Sequence, residues 1–131
     1  MRLLLDTHAW LWSVLEPDRL GRKARDALRG KDASVWLSPI SVWECALLIE
    51  RGRLEVEGTS EAWIRSALGK GPIHEAPLNH EVALFGRRVS LPHRDPADRF
   101  IAATAAVYEL TLITADARLL GGEGYRTLAA V

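Results

Sequence analysis

Leu3-Leu4-Leu5-Asp6-Thr7-His8-Ala9-Trp10-Leu11-Trp12 opens the chain. Three consecutive apolar residues are too few for a buried helix and suit a strand covered on both faces. Asp6 stops that strand at once and stands where a helix cap belongs. The sequence predicts a helix over His8 to Leu15, broken at Glu16-Pro17-Asp18. The same grammar returns near the other end. Leu110-Thr111-Leu112-Ile113-Thr114 is the clearest strand in the sequence, followed by Ala115-Asp116 and a short helix.

Between these two units, short strands are predicted at Val35–Leu37 and Ile73–Leu78, and a last one at Tyr125–Ala129. Pro77 limits how much of the second can pair. Helices are predicted over Arg19–Leu28, Ser41–Arg51, Glu61–Leu68, His80–Val89 and Pro96–Tyr108. Strands alternating with helices imply an α/β fold with a central parallel sheet, covered on both faces. In such sheets ligands bind outside the carboxyl ends of the strands. Asp6 and Asp116 follow two strand ends, Glu44 lies early in the helix after the second strand, and Asp98 lies early in a helix that feeds the Leu110 strand. All four can reach one edge.

Each acid also has a local explanation. Asp6 and Asp116 can cap the helices that follow them. Ser41-Val42-Trp43-Glu44 fits a capping box, and Asp95-Pro96-Ala97-Asp98 fits a helix start with Asp95 as the cap. Capping does not account for their meeting. Four carboxylates at one edge repel one another unless a cation stands among them, and oxygen donors of this kind suit Mg²⁺ or Mn²⁺.

Composition bounds the remainder. The 131 residues, 48% hydrophobic, suit a single domain over 1–131 with its own core. The 17 basic and 17 acidic residues cancel, so overall charge predicts no general affinity for nucleic acid. Arg19, Arg22, Lys23, Arg25 and Arg29 nevertheless cluster, either as a solvated helix face or as a phosphate-binding patch. Cys45 is the one cysteine and reads as a small core residue in a reducing compartment. No long apolar run is present, so a cytoplasmic location and no membrane contact are expected. His8, His74, His80 and His93 lack metal-ligand spacing. Five tryptophans is a high count for this length. Trp10 and Trp12, two positions apart on a helix, point to nearly opposite faces, and one of them is a candidate to line a groove for a partner.

The motifs, taken together, resemble PIN-domain toxins of the VapC type. The opening Leu3–Trp12 stretch is similar to that family's first strand and helix. Ser38-Pro39-Ile40-Ser41-Val42-Trp43-Glu44 resembles its second motif, His93-Arg94-Asp95-Pro96-Ala97-Asp98-Arg99-Phe100-Ile101-Ala102-Ala103 its third, and Leu112-Ile113-Thr114-Ala115-Asp116 its fourth. The resemblance implies a three-layer α/β/α fold and a Mg²⁺- or Mn²⁺-dependent endoribonuclease leaving 5′-phosphate and 3′-hydroxyl ends. It further implies a toxin restrained by a VapB-like antitoxin, usually as a homodimer. Asp6, Glu44, Asp98 and Asp116 match the acidic quartet, with Asp6 and Asp98 as principal metal ligands and Glu44 and Asp116 acting directly or through water. Thr7 and Thr114 are expected behind the ligands, and Arg99 is a candidate RNA contact. The sequence does not choose between Glu44 and Asp116 as the group that orients water, nor between one metal and two.

A PIN nuclease of RNA processing, without an antitoxin, fits the same residues. A receiver-like signalling domain also places acids at strand ends, but it needs a lysine near the site; Lys23, Lys31 and Lys70 do not follow a late strand. A haloacid-dehalogenase-type phosphatase needs a second Asp two positions after Asp6, where His8 stands.

Overall fold

The computed structural model describes residues 1–92 and 94–131, so His93 lies outside the described residues. The chain begins with β1 (Arg2–Leu5), α1 (Thr7–Leu15) and a single 3-10 turn at Pro17–Arg19. It continues through α2 (Arg22–Arg29), β2 (Ser34–Leu37), α3 (Pro39–Glu50), α4 (Ser60–Leu68) and β3 (Ile73–Glu75). It ends with α5 (His80–Arg88), α6 (Pro96–Val107), β4 (Thr111–Thr114), α7 (Ala117–Leu120) and β5 (Arg126–Ala129). Among the described residues no helix is long and apolar enough to cross a membrane.

The five strands form one sheet in the order β3-β2-β1-β4-β5, and every pairing is parallel. β1 is therefore central, and the chain winds outward from it in both directions. Leu5 stands opposite Leu37 on one side and Ile113 on the other. The alternation of side chains along β1 separates the two layers. Leu3 and Leu5 pack with Trp10, Ala24, Cys45 and Ile64, so that α1 to α4 cover one face. Leu4 points the opposite way, against Ile101, Ala102, Ala105 and Leu112, where α6 covers the other face. A run of three leucines was needed because both faces of this strand are dry. Each buried leucine contributes roughly 1.5–3 kcal/mol.

Most expected elements lie within a residue or two of where the pattern put them. Three differ for physical reasons. The helix expected from Arg19 begins at Arg22, because Leu20 turns into the core and the Gly21 N–H donates to the Ala130 carbonyl at 2.7 Å. The strand expected over Ile73–Leu78 stops at Glu75; one more bond, from the Ala76 N–H to the Leu37 carbonyl, precedes the proline that has no N–H to give. The helix expected from Ser41 starts at Pro39, with Ser38 as its cap, its hydroxyl accepting from the Ile40 N–H. Glu44 is thus a full turn too far along to close a capping box, and that reading is corrected.

Arg99 is also corrected. Its guanidinium donates to the carbonyls of Gly86 at 2.8 Å, Val89 at 2.9 Å and Arg87 at 3.3 Å. It staples α6 to the carboxyl end of α5, whose last carbonyls have no helical partner, rather than reaching toward an RNA. Adjacent helical residues diverge by about 100°, so standing next to Asp98 in sequence sends Arg99 elsewhere. Removing the staple strands those carbonyls. Arg99→Met is expected to lower the unfolding free energy by about 2 kcal/mol in urea titrations. Arg22→Met, on the exposed face of α2 and 3.9 Å from Asp26, is expected to change it by under about 0.5 kcal/mol.

Candidate metal centre

β1 and β4 are neighbours, and the winding direction reverses between them, which opens a crevice beyond their carboxyl ends. Asp6 follows β1 and Asp116 follows β4 by two residues. α3 brings Glu44 from the β2 side, and the first turn of α6 brings Asp98 across the top. The four carboxylates line one cavity of about 510 Å³, together with Thr7, His8, Trp12, Asp95, Ile101, Ala115 and Arg118.

Each acid is held by its local backbone. Asp6 caps α1, one oxygen accepting from the Ala9 N–H at 2.8 Å, while its other oxygen accepts a short hydrogen bond from the Thr114 hydroxyl. Thr114 in turn accepts from the Asp116 N–H at 3.0 Å, so one buried hydroxyl ties the ends of β1 and β4 together. Thr7 Oγ1 lies 2.5 Å from Glu44 Oε1 and 3.0 Å from Ser41 Oγ. A carboxylate only accepts, so Thr7 gives its proton to Glu44. Asp116 caps α7 through the Arg118 N–H and receives the Arg118 guanidinium at 3.3 and 3.2 Å. Asp95 caps α6, accepting from the Ala97 N–H, and at the same time lines the cavity. Capping and gathering are compatible, because a helix start offers partial positive charge to the acid placed on it.

The electrostatics are those of crowded anions. Burial raises the Asp6 carboxyl above its ordinary range, against the bonds from Thr114 and Ala9 that lower it. Burial raises Glu44 too, with Asp95 adding to the effect and Thr7 opposing it. Asp98 is pushed up to about 7, first by burial and then by Asp95, Asp116 and Glu44; Arg118 opposes. Hard oxygen donors that destabilise one another's charge fit a divalent cation. Among the described residues no three His, Cys, Asp or Glu side chains already close on one point. The donors surround a space, as suits an ion that keeps several waters.

Two side chains at this cavity, Arg118 and His8, carried no signal in the sequence as parts of a site, and a third, Trp12, was one of two tryptophans that could line a groove. Arg118 follows Asp116 by two residues and joins the site from the first turn of α7. His8 is exposed on the rim. Trp12 lines the cavity with the Arg19 guanidinium 4.4 Å above its ring, while Trp10 is fully buried. Of the basic cluster on and before α2, Arg19 is engaged with Trp12 and with Glu16 at 3.1 Å, and Arg22 faces solvent. Cys45 is a core residue, its thiol pushed up to about 11 by burial.

A winding reversal topped by four acids is the architecture of the PIN domain, and the PIN family model matches residues 3–121; the chain belongs to that family. It is 32% identical over 120 residues to Ribonuclease VapC22 of Mycobacterium tuberculosis, covering 89% of this chain and 88% of that protein. Among solved structures, a chain of VapBC2 from Rickettsia felis, bound to a DNA fragment from its promoter, superposes with a TM-score of 0.72 at 14% identity and 98% coverage of both chains. FitAcB from Neisseria gonorrhoeae gives 0.64 at 25% identity and 96% coverage of both.

The crowding has a measurable consequence. The folded chain keeps the Asp98 proton up to about pH 7, whereas the unfolded chain releases it near the ordinary 3.8. The folded state therefore binds more protons inside that window, and stability falls as pH rises through it. With solvent screening at this half-buried group, the metal-free protein is expected to lose on the order of 1–2 kcal/mol between about pH 4 and pH 7. Urea unfolding in chelator should show that slope and a flatter one for Asp98→Asn; equal slopes would place the titrating group elsewhere.

Proposed function

We propose that this chain is a Mg²⁺- or Mn²⁺-dependent endoribonuclease of the cytoplasm, the toxin of a VapBC-type pair, restrained by a VapB-like antitoxin and acting as a homodimer. The observation that carries the reading is the gathering of Asp6, Glu44, Asp98 and Asp116 around one cavity at the reversal of a parallel sheet. Similarity to a named VapC ribonuclease across nearly the whole chain supports RNA as the substrate. Structural likeness to a toxin–antitoxin complex from Klebsiella pneumoniae, and to a member of the VapBC family of toxin–antitoxin systems from Mycobacterium tuberculosis, supports the partner.

In this reading Asp6 and Asp98 hold the cation, and Glu44 and Asp116 complete its surroundings directly or through water. When bound, the cation makes water more acidic and draws charge from the phosphate under attack. The chain's own work is positional. The Thr114 hydroxyl and the Ala9 N–H fix both oxygens of Asp6. Thr7 fixes one oxygen of Glu44 and leaves the other to accept a proton from, or orient, an incoming water. Arg118 balances Asp116 at the rim, where an RNA phosphate must approach past negative charge.

Asp6→Asn tests the assignment cleanly, because asparagine caps a helix about as well as aspartate. The variant is expected to keep the parent's circular dichroism and to lose at least about a hundredfold in metal-dependent RNA cleavage. Mg²⁺ or Mn²⁺ should raise the melting temperature of the parent more than that of the variant. Undiminished cleavage by purified Asp6→Asn would sink the assignment.

A further inference from the structure

A second cavity, of about 400 Å³, adjoins the acidic one; Thr7, His8, Glu44 and Asp95 line both. Its outer lining has a different chemistry. Trp43, Arg51 and Arg53 stand there, and Trp43 is 58% exposed, on the residue before Glu44. Positions 43, 47 and 51 repeat at one helical turn, so they share a face of α3. Gly52, at φ 71°, then turns the chain back and sets Arg53 beside Arg51. Among the described residues neither guanidinium has a hydrogen-bond or ion-pair partner.

An exposed indole beside two uncommitted arginines is what a single-stranded nucleic acid requires: a flat surface for a base and positive charge for its phosphate. A large aromatic left in water has a solvation cost, and a stacked base removes it. The shared wall at Glu44 makes this surface continuous with the acidic cavity. Charge favours RNA over a protein segment as occupant. A segment suited to the acidic cavity carries positive charge, and would meet repulsion from Arg51 and Arg53. A polyanion that reaches the acids through a cation meets attraction.

We infer that the second cavity is a nucleotide subsite, in which a base flanking the scissile phosphate stacks on Trp43 and its phosphate is held by Arg51 and Arg53. The inference rests on the ribonuclease reading for its meaning, but its test does not depend on cleavage. Stacking on a tryptophan is tolerant of base identity and needs an unpaired base, so the subsite selects single-stranded RNA more than it selects sequence.

The probe is an unstructured, fluorescein-labelled oligoribonucleotide. Its binding is followed by fluorescence anisotropy with the full chain in the Asp6→Asn background. Trp43→Ala is expected to weaken binding about tenfold or more, and Trp43→Phe to restore most of it. Arg51→Ala with Arg53→Ala should lessen the slope of log Kd against log salt by about 0.7, one phosphate's worth for a single strand. All three side chains are on the surface, so unchanged melting temperatures should accompany these losses. RNA affinity and salt slope equal to the parent's in both variants would overturn the subsite, whatever they do to a protein partner. If the variants bind less tightly but the native chain cleaves no RNA with Mg²⁺ or Mn²⁺, the subsite stands and the nuclease reading falls. If the native chain cleaves and the variants bind like the parent, the reverse holds.

Discussion

The bridge from Asp6 through the Thr114 hydroxyl to the Asp116 N–H is the contact on which the site depends. It sits where β1 and β4 end side by side, and the Asp6 N–H continues the ladder by donating to the Ile113 carbonyl at 3.1 Å. The bridge joins residues over a hundred positions apart in sequence. Any slip in the pairing of Leu5 with Ile113 would turn alternate side chains to the opposite face and break both the core and the bridge. The dry core on both sides of β1 therefore sets the register, and the register sets the distance between the acids.

Such a site is under electrostatic load. Desolvation and like charges raise three carboxyls above their ordinary range, most of all Asp98. The fold carries this load with small devices: a helix start under Asp6, Asp95 and Asp116, and a hydroxyl on Asp6 and on Glu44. None of these devices neutralises a full charge. They orient the acids and leave an excess that a divalent cation would offset. This is the usual compromise of a functional site, in which local stability is given up for chemistry.

The division of polar and apolar surface around the acids bears on substrate binding. Asp116 faces Arg118 on one side of the cavity, and Glu44 leads past Trp43 toward Arg51 and Arg53 on the other. A strand of RNA would thus meet the acids at the centre, the Arg118–Asp116 pair on one side and the positive charge of Arg51 and Arg53 on the other. Arg99, in contrast, has its guanidinium turned onto the end of α5.

By itself the sequence determined the alternation of elements, the parallel sheet, and the candidacy of the four acids. Those features are local: an apolar triplet before Asp6, an apolar run before Asp116, helix starts near Glu44 and Asp98. Their meeting around one cavity was a matter of topology, inferable because strand ends in such sheets share an edge. Glu44 was legible as an acid but not in its local setting, since the sequence offered Ser41 as the cap, whereas Ser38 caps the helix and the Ser41 hydroxyl is buried against Thr7. The roles of Arg99, Arg118 and Trp43 were decided by tertiary structure alone. A side chain's sequence neighbour on a helix points a third of a turn away, so proximity along the chain says little about proximity at the site. α3 is apolar around most of its circumference, so no periodicity marks which of its residues is left in water. That depends on where α6 and α1 come to rest against it, which no local pattern encodes.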